Sequence, residues 1–365
     1  MERVGVGVIG CGNISPAYLK AARLFPILDV RALADLDREA AEARANEFSL
    51  KATTIEALLA DPTIEIVVNL TIPKAHVAVG LQAIAAGKHV HSEKPLGVAV
   101  AEARKLIEAA EARGLRVGCA PDTFLGGAHQ TCRKLVDEGR IGQPIAGTAF
   151  FMCPGHERWH PNPAFYYQEG GGPMLDMGPY YITDLVNLLG PVARVCGMAT
   201  KLRSERIITS EPRAGERVPV RTATHVAGGL EFVGGAVVTI AMSFDVPRHK
   251  HVPIELYGSA GALIVPDPNY FGGEIEIATA DEDWAPVPVE HAYDDGNYRV
   301  IGAADMATAI RAGRPHRASG QLAFHVLEVM EAFQRSSDSG RFVTIESRPA
   351  RPAPMPTGFA EGELD

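Results

Sequence analysis

The sequence predicts an α/β protein in two parts: a parallel sheet wound with helices, then an α+β unit with an open, mainly antiparallel sheet. Three observations carry this. Over the first 120 residues, short apolar runs alternate with helical periodicity. Between 192 and 280 the pattern becomes alternating runs parted by turn residues. At 365 residues the chain exceeds what one ordinary core organises.

The elements follow in order. VGVGVI (4–9) is a short apolar strand, and SPAYLKAARLF (15–25) has helical spacing. VRALAD (30–35) is a strand and 37–48 an Ala- and Glu-rich helix. IEIVVNL (64–70) is apolar on both faces, and KAHVAVGLQAIAAG (74–87) is a helix stopped by Gly87. KHVHSE (88–93), the amphipathic helix 100–114 and LRVGCA (115–120) complete the βαβ series. The first domain is therefore expected over 1–121. Past it come a helix (127–138), a strand (144–153), a Gly/Pro/aromatic stretch (154–173) and a helix (174–189). Six alternating runs follow, then helices at 298–312 and 320–335. This second domain is expected over 122–347. Residues 348–365 read as a Pro-rich C-terminal tail, an arm or a disordered segment.

Composition narrows the function classes. The chain is 46% hydrophobic and 22% charged, with a net charge of −9 that argues against nucleic acid as the main partner. No apolar run reaches the roughly 18–20 residues that span a bilayer. The N-terminus lacks the ordered regions of a signal peptide. The five cysteines form no C-x-x-C pair and suggest reduced thiols. A cytoplasmic location is expected.

Gly10-Cys11-Gly12-Asn13-Ile14-Ser15 joins the first strand to the first helix. Gly10 permits the tight turn, and Gly12 lets the backbone approach a pyrophosphate at the helix N-terminus. Ser15 replaces the third glycine. With Pro16 it is expected to cap the helix. Asp35, closing the second strand, is placed to bond adenosine ribose hydroxyls, which favours NAD over NADP; Arg38 nearby keeps NADP open. Such a Rossmann domain holds its ligand at the carboxyl ends of the strands. That edge carries Thr71-Ile72-Pro73 with His76, Glu93-Lys94-Pro95, and Asp122-Thr123, which are candidates for cofactor or substrate contact.

GCGNIS, TIPKAHVAVGLQAIAAGKHVHSEKPL and GGGPMLDMGPYYITDLVNLLG, in this order, resemble the Gfo/Idh/MocA oxidoreductases over nearly the whole chain. The resemblance implies a Rossmann domain followed by a domain whose open sheet serves oligomer contacts, in a homodimer or homotetramer. It implies hydride transfer between NAD(P) and a hydroxyl carbon of a sugar, sugar derivative or cyclitol. In that reading Lys94 contacts the reacting hydroxyl. The family's common acid/base histidine is replaced here by Tyr180, as in a tyrosine subgroup. Asp176 would hold the sugar or Lys94. Asp184 is a weaker candidate, and Tyr181 competes with Tyr180 because register alone cannot separate neighbours. Relatives that cleave glycosides with tightly bound NAD supply an alternative, and a non-catalytic cofactor-binding protein supplies a third.

His156-Glu157-Arg158-Trp159-His160 spells the H-E-x-x-H of helical zinc proteases. Pro154, Pro161 and Pro163 leave room for one helical turn at most, so no metal site is expected. The segment reads instead as a substrate loop, with Trp159 and His160 as its contacts.

Overall fold

The computed structural model describes residues 2–365. Six strands form the N-terminal sheet: β1 (Val4–Ile9), β2 (Leu28–Ala34), β3 (Lys51–Ala52), β4 (Ile66–Asn69), β5 (His89–Ser92) and β6 (Val117–Cys119). All pairings are parallel, in the order β3-β2-β1-β4-β5-β6. That is the dinucleotide-binding order, with its crevice where the order reverses between β1 and β4. The helices between them are α1 (Ser15–Ala22), α2 (Arg38–Phe48), α3 (Ile55–Ala60), α4 (His76–Ala85) and α5 (Val100–Glu111). The sequence reading missed β3 and α3, which are too short to show a period.

The second sheet has nine strands and is mixed. The strands are β7 (Pro144–Met152), β8 (Val192–Thr200), β11 (His225–Phe232), β12 (Val237–Ser243), β13 (Ile254–Gly258), β14 (Gly261–Val265), β15 (Ile275–Thr279), β16 (Ala285–Val287) and β17 (Val343–Thr344). The six alternating runs are all strands of this sheet. The departure from antiparallel order is β7, which runs parallel to β12 at the centre. A separate pair, β9 (Glu205–Ile207) and β10 (Arg217–Pro219), lies beside the loop at 154–173.

Helices α6 (Gly127–Asp137), α7 (Pro173–Leu189) and α9 (Gly320–Ser339) cover one face of the large sheet, while α8 (Ile301–Ala312) packs on the N-terminal sheet. Buried α7 lies between α6 and α9 on that face, so its polar residues need partners. The Pro-rich C-terminal stretch is not disordered. Met355 is buried and its N–H donates to Gln130 Oε1 (2.8 Å), while Arg133 and Arg317 hold the carbonyls of Pro352, Ala353 and Pro354. Proline carbonyls keep their acceptors, and buried arginines take them.

Candidate active site

The nucleotide end is built by the first turn. Gly10 has φ +105°, and a Cβ there would lie 2.5 Å from the Leu70 carbonyl carbon. A Cβ on Gly12 would meet nothing within 4 Å, so the open cradle beside the helix start exists because Gly12 is bare. Ser15 is not the cap. Ile14 holds that position without a side-chain bond, and the Ser15 hydroxyl donates back to the Gly12 carbonyl (2.8 Å). The Ser15 and Ala17 N–H groups turn back to the Gly12 (3.2 Å) and Ile14 (3.0 Å) carbonyls and Pro16 has none, so an anion would meet the turn Gly12–Ile14 just before α1. Asp35 Oδ2 accepts the Cys11 N–H (2.7 Å), tying β2 to the glycine turn. Arg38 pairs with Glu42 (2.8 Å). Asp35, Arg38 and Glu42 all line one recess of about 420 Å³. These features fit a dinucleotide.

A larger cleft of about 600 Å³ opens at the strand ends. Asn13, Ile14, Thr71, Pro73, Glu93 and Lys94 line it from the N-terminal domain; Asp176, Tyr180, Trp159 and His160 face it from the second. Lys94 follows β5, and α7 presents Asp176 and Tyr180 one turn apart on one face. Lys94 Nζ donates to Asp176 Oδ1 and to the Asp176 carbonyl, both at 2.8 Å. Pro179 lies inside α7, where it removes an N–H from the ladder and crowds the preceding turn, which contains that carbonyl. The ammonium also stands 5.1 Å from the centre of the Tyr180 ring.

Burial works against the Lys94 ammonium, but Asp176, Tyr180 and Glu93 together outweigh it and hold the lysine above its usual range. Burial likewise opposes the Asp176 carboxylate; Lys94 and His156 overcome it and push Asp176 down to about 2. The pair is therefore charged on both sides. An ammonium has three N–H donors. Two are taken by Asp176, which leaves one for a ligand.

The loop at 154–173 supplies the residue the sequence reading overlooked. His156 Nε2 lies 2.9 Å from Asp176 Oδ2, and Trp159 Nε1 lies 3.1 Å from His156 Nδ1. Indole is only a donor, so His156 Nδ1 accepts and Nε2–H donates to Asp176. The H-E-x-x-H letters form one 3-10 turn, His156–Arg158, and not an α-helix. Glu157 faces the other way, into a buried cluster: it accepts from Arg206 Nη1 (3.0 Å) and from the Tyr167 hydroxyl, while Arg206 also pairs with Asp245. Among the described residues no group of three metal-ligating side chains is assembled. Trp159 and Phe165 are 61% and 46% exposed, and with His160 and Tyr166 they make an aromatic wall on the cleft.

Other expected contacts are not in the cleft. His76 is fully buried, with Nδ1 2.7 Å from the Pro95 carbonyl and Nε2 2.9 Å from the Thr71 carbonyl; its neutral ring donates to one of the two and packs behind both cleft loops. Asp122 and Thr123 are buried too. Asp122 Oδ2 accepts the N–H groups of Val300 and Gly302 (both 3.0 Å), so α8 covers it. Tyr181, 2% exposed, does not line the cleft, which separates it from Tyr180. Asp184 is fully buried against His129 (2.8 Å). Tyr166, Asn269 and Arg299 line the cleft and went unnoticed in the sequence. Tyr166 had a signal in the aromatic run 165–167; Arg299 and Asn269 had none.

A parallel dinucleotide-binding domain joined at its cleft to a mixed-sheet domain defines a two-domain nicotinamide-type oxidoreductase. The chain belongs to the Gfo/Idh/MocA oxidoreductase family: residues 4–120 match the oxidoreductase-family NAD-binding Rossmann fold, and 129–264 match the GFO/IDH/MocA C-terminal domain. It is 33% identical over 319 residues to the dTDP-3,4-didehydro-2,6-dideoxy-alpha-D-glucose 3-reductase of Streptomyces violaceoruber, covering 83% of this chain and 82% of that one. It is 29% identical to the 1,5-anhydro-D-fructose reductase of Ensifer adhaerens over 62% of this chain and 65% of that protein's length. Its fold superposes on a levoglucosan dehydrogenase in complex with NADH and L-sorbose with a TM-score of 0.84 at 21% identity, covering 95% of this chain and 100% of that one. The protein is an NAD-binding oxidoreductase. No helix among the described residues is long and apolar enough to cross a membrane.

Proposed function

We propose that this protein is an NAD-dependent dehydrogenase acting reversibly on a hydroxyl carbon of a sugar, sugar derivative or cyclitol. The observation that carries it is Lys94, pinned by Asp176 beside Tyr180 at the mouth of the nucleotide fold. When bound, NAD supplies the acceptor for the hydride. Asn13, Ile14, Thr71, Pro73 and Glu93 line its place, Gly10 and Gly12 admit the pyrophosphate, and Asp35 takes the ribose hydroxyls. The Asp35 carboxylate repels a 2′-phosphate, which favours NAD over NADP.

Lys94 directs its remaining N–H to the substrate oxygen and stabilises negative charge developing there. Tyr180 exchanges the hydroxyl proton. Asp176 keeps Lys94 charged and aimed. Trp159, His160, Phe165 and Tyr166 present aromatic faces to the C–H face of a ring.

Oligomers through the open face of the large sheet belong to the same proposal. Met198, Val237 and Tyr257 project from that face and are 69%, 50% and 36% exposed. A homodimer or homotetramer buries them, and light scattering of the purified protein reads the mass.

Lys94→Ala and Tyr180→Phe are expected to remove turnover while NADH fluorescence still reports binding; unchanged turnover refutes the roles. Absorbance of NADH across aldoses, cyclitols and anhydrosugars identifies the substrate.

A further inference from the structure

We propose that the cleft is built for a sugar acid: Arg299 and the Asn269 amide form a corner of N–H donors that takes the substrate's carboxylate. This names the substrate class of the site described above, and it rests on the reading of that cleft as the place of a sugar derivative.

Arg299 lines the cleft just before α8, and Asn269 lines it too. The guanidinium is fixed by neutral groups: Nη2 donates to Asn269 Oδ1 (3.0 Å) and the Asn269 carbonyl (3.3 Å), and Nη1 to Asn297 Oδ1 (3.3 Å). Among the described residues no carboxylate pairs with it. The other charges of the cleft are committed. Lys94 pairs with Asp176 (2.8 Å), and Glu93 accepts from the Tyr18 hydroxyl (2.7 Å) and the Lys94 N–H (2.8 Å). A partly buried cation without an anion is costly unless a ligand supplies one.

Asn269 sharpens the match. A guanidinium only donates, so the Asn269 side-chain atom against Nη2 is the oxygen. That leaves its NH2 without a partner among the described residues, and Arg299 keeps the Nε–H and one Nη1 N–H unbonded. A substrate hydroxyl brings a proton that needs its own acceptor. A carboxylate only accepts, and the guanidinium fork fits its two oxygens. One negative charge suits the corner better than two, because the Glu93 carboxylate lines the same cleft and repels a phosphate dianion.

The corner is set before any ligand arrives. Val300, the next residue, has φ +101°, a region that β-branched residues rarely enter. The buried Asp122 carboxylate accepts the N–H groups of Val300 and Gly302 and holds that turn. With Lys94 and Tyr180 on the reacting hydroxyl and the aromatic wall on a C–H face, a carboxylate on Arg299 is a third fixed point. It decides which carbon of the sugar meets the nicotinamide. The cofactor pyrophosphate is the other source of an anion. The glycine turn provides for it before α1, whereas Arg299 and Asn269 come from the chain after β6, which also supplies Asp176, Tyr180 and the aromatic wall.

The test pairs hexuronates and aldonates with their primary amides, which keep the shape and remove the charge. NADH absorbance reads turnover with NAD in excess. In wild type kcat/KM should be at least about tenfold higher for an acid than for its amide, the difference lying in KM. In Arg299→Gln that ratio should fall about tenfold or more, and Arg299→Lys should keep part of it. Asn269→Asp sets a carboxylate beside the guanidinium and should lower the ratio as well; it carries the comparison if Arg299→Gln does not fold. Calorimetry of each acid with the NADH complex reads the same site without turnover. A ratio near one in wild type, a ratio unmoved in Arg299→Gln, or no acid bound to the NADH complex overturns the carboxylate site. Turnover of neutral sugars that needs Lys94 and Tyr180 then leaves the dehydrogenase reading standing. Weaker NADH binding in Arg299→Gln with the ratio unmoved gives the cation to the pyrophosphate instead. An acid that binds wild type but not Arg299→Gln, with no sugar turned over, keeps the carboxylate site and overturns the dehydrogenase reading.

Discussion

His156 Nε2–H donates to Asp176 Oδ2 across 2.9 Å, and this bond joins the loop at 154–173 to the lysine at the other side of the cleft. Asp176 is held at both oxygens, one by a histidine and one by Lys94. A carboxylate so held has little freedom to turn away.

Loss of His156 should therefore act through Asp176. His156→Ala is expected to lower kcat about tenfold to a hundredfold, with NADH affinity unchanged, because about 1.5–3 kcal/mol attaches to a hydrogen bond on a charged group. His156→Gln keeps a donor and should recover part of the rate. Steady-state kinetics checks both.

The acid limb of stability follows from Asp176. Its folded pKa of about 2 lies below the ordinary aspartate value of about 3.9, so its contribution is complete above roughly pH 4 and is lost as pH falls towards 2. Its side chain is only 14% exposed, so about 2 kcal/mol is the expected size. Urea unfolding of wild type and Asp176→Asn should show their separation narrowing by about that amount between pH 5 and 2.

The loop rests on a buried ion cluster. Arg206 is 3% exposed and pairs with both Glu157 and Asp245. Arg206→Met leaves two buried carboxylates without their cation, and a loss of about 3–5 kcal/mol is expected on denaturant unfolding. Because the same cluster anchors Glu157 away from the two histidines, prolonged EDTA treatment should leave turnover unchanged.

In the proposed site Asp35 would serve the cofactor twice, by holding the glycine turn through the Cys11 N–H and by facing the recess where the adenosine ribose would lie. Asp35→Ala should weaken NAD binding about tenfold or more and narrow the preference over NADP, read by fluorescence titration of each.

The glycine turn and the parallel sheet were legible because each depends on a local pattern, whereas Lys94, Asp176 and Tyr180 were singled out by the family resemblance, and the fold brings the three together. Ser15 shows the limit of that reading: its neighbour Pro16 marks a helix start, yet capping depends on one residue of register. The tail at 348–358 misled because proline content reports missing N–H donors, not whether Arg133 and Arg317 wait for the carbonyls.

Sequence by itself determined the fold class, the family resemblance, the nucleotide turn and the residue types at the centre of the cleft. The tertiary structure alone decided which neighbours face that cleft. It separated Tyr180 from Tyr181, turned His156 onto Asp176 and Glu157 onto Arg206, and buried Asp122 beneath a helix start 178 residues later in the chain. The physical reason is that a local window encodes periodicity and turn chemistry, whereas a side chain's partner is set by packing between segments that no window contains.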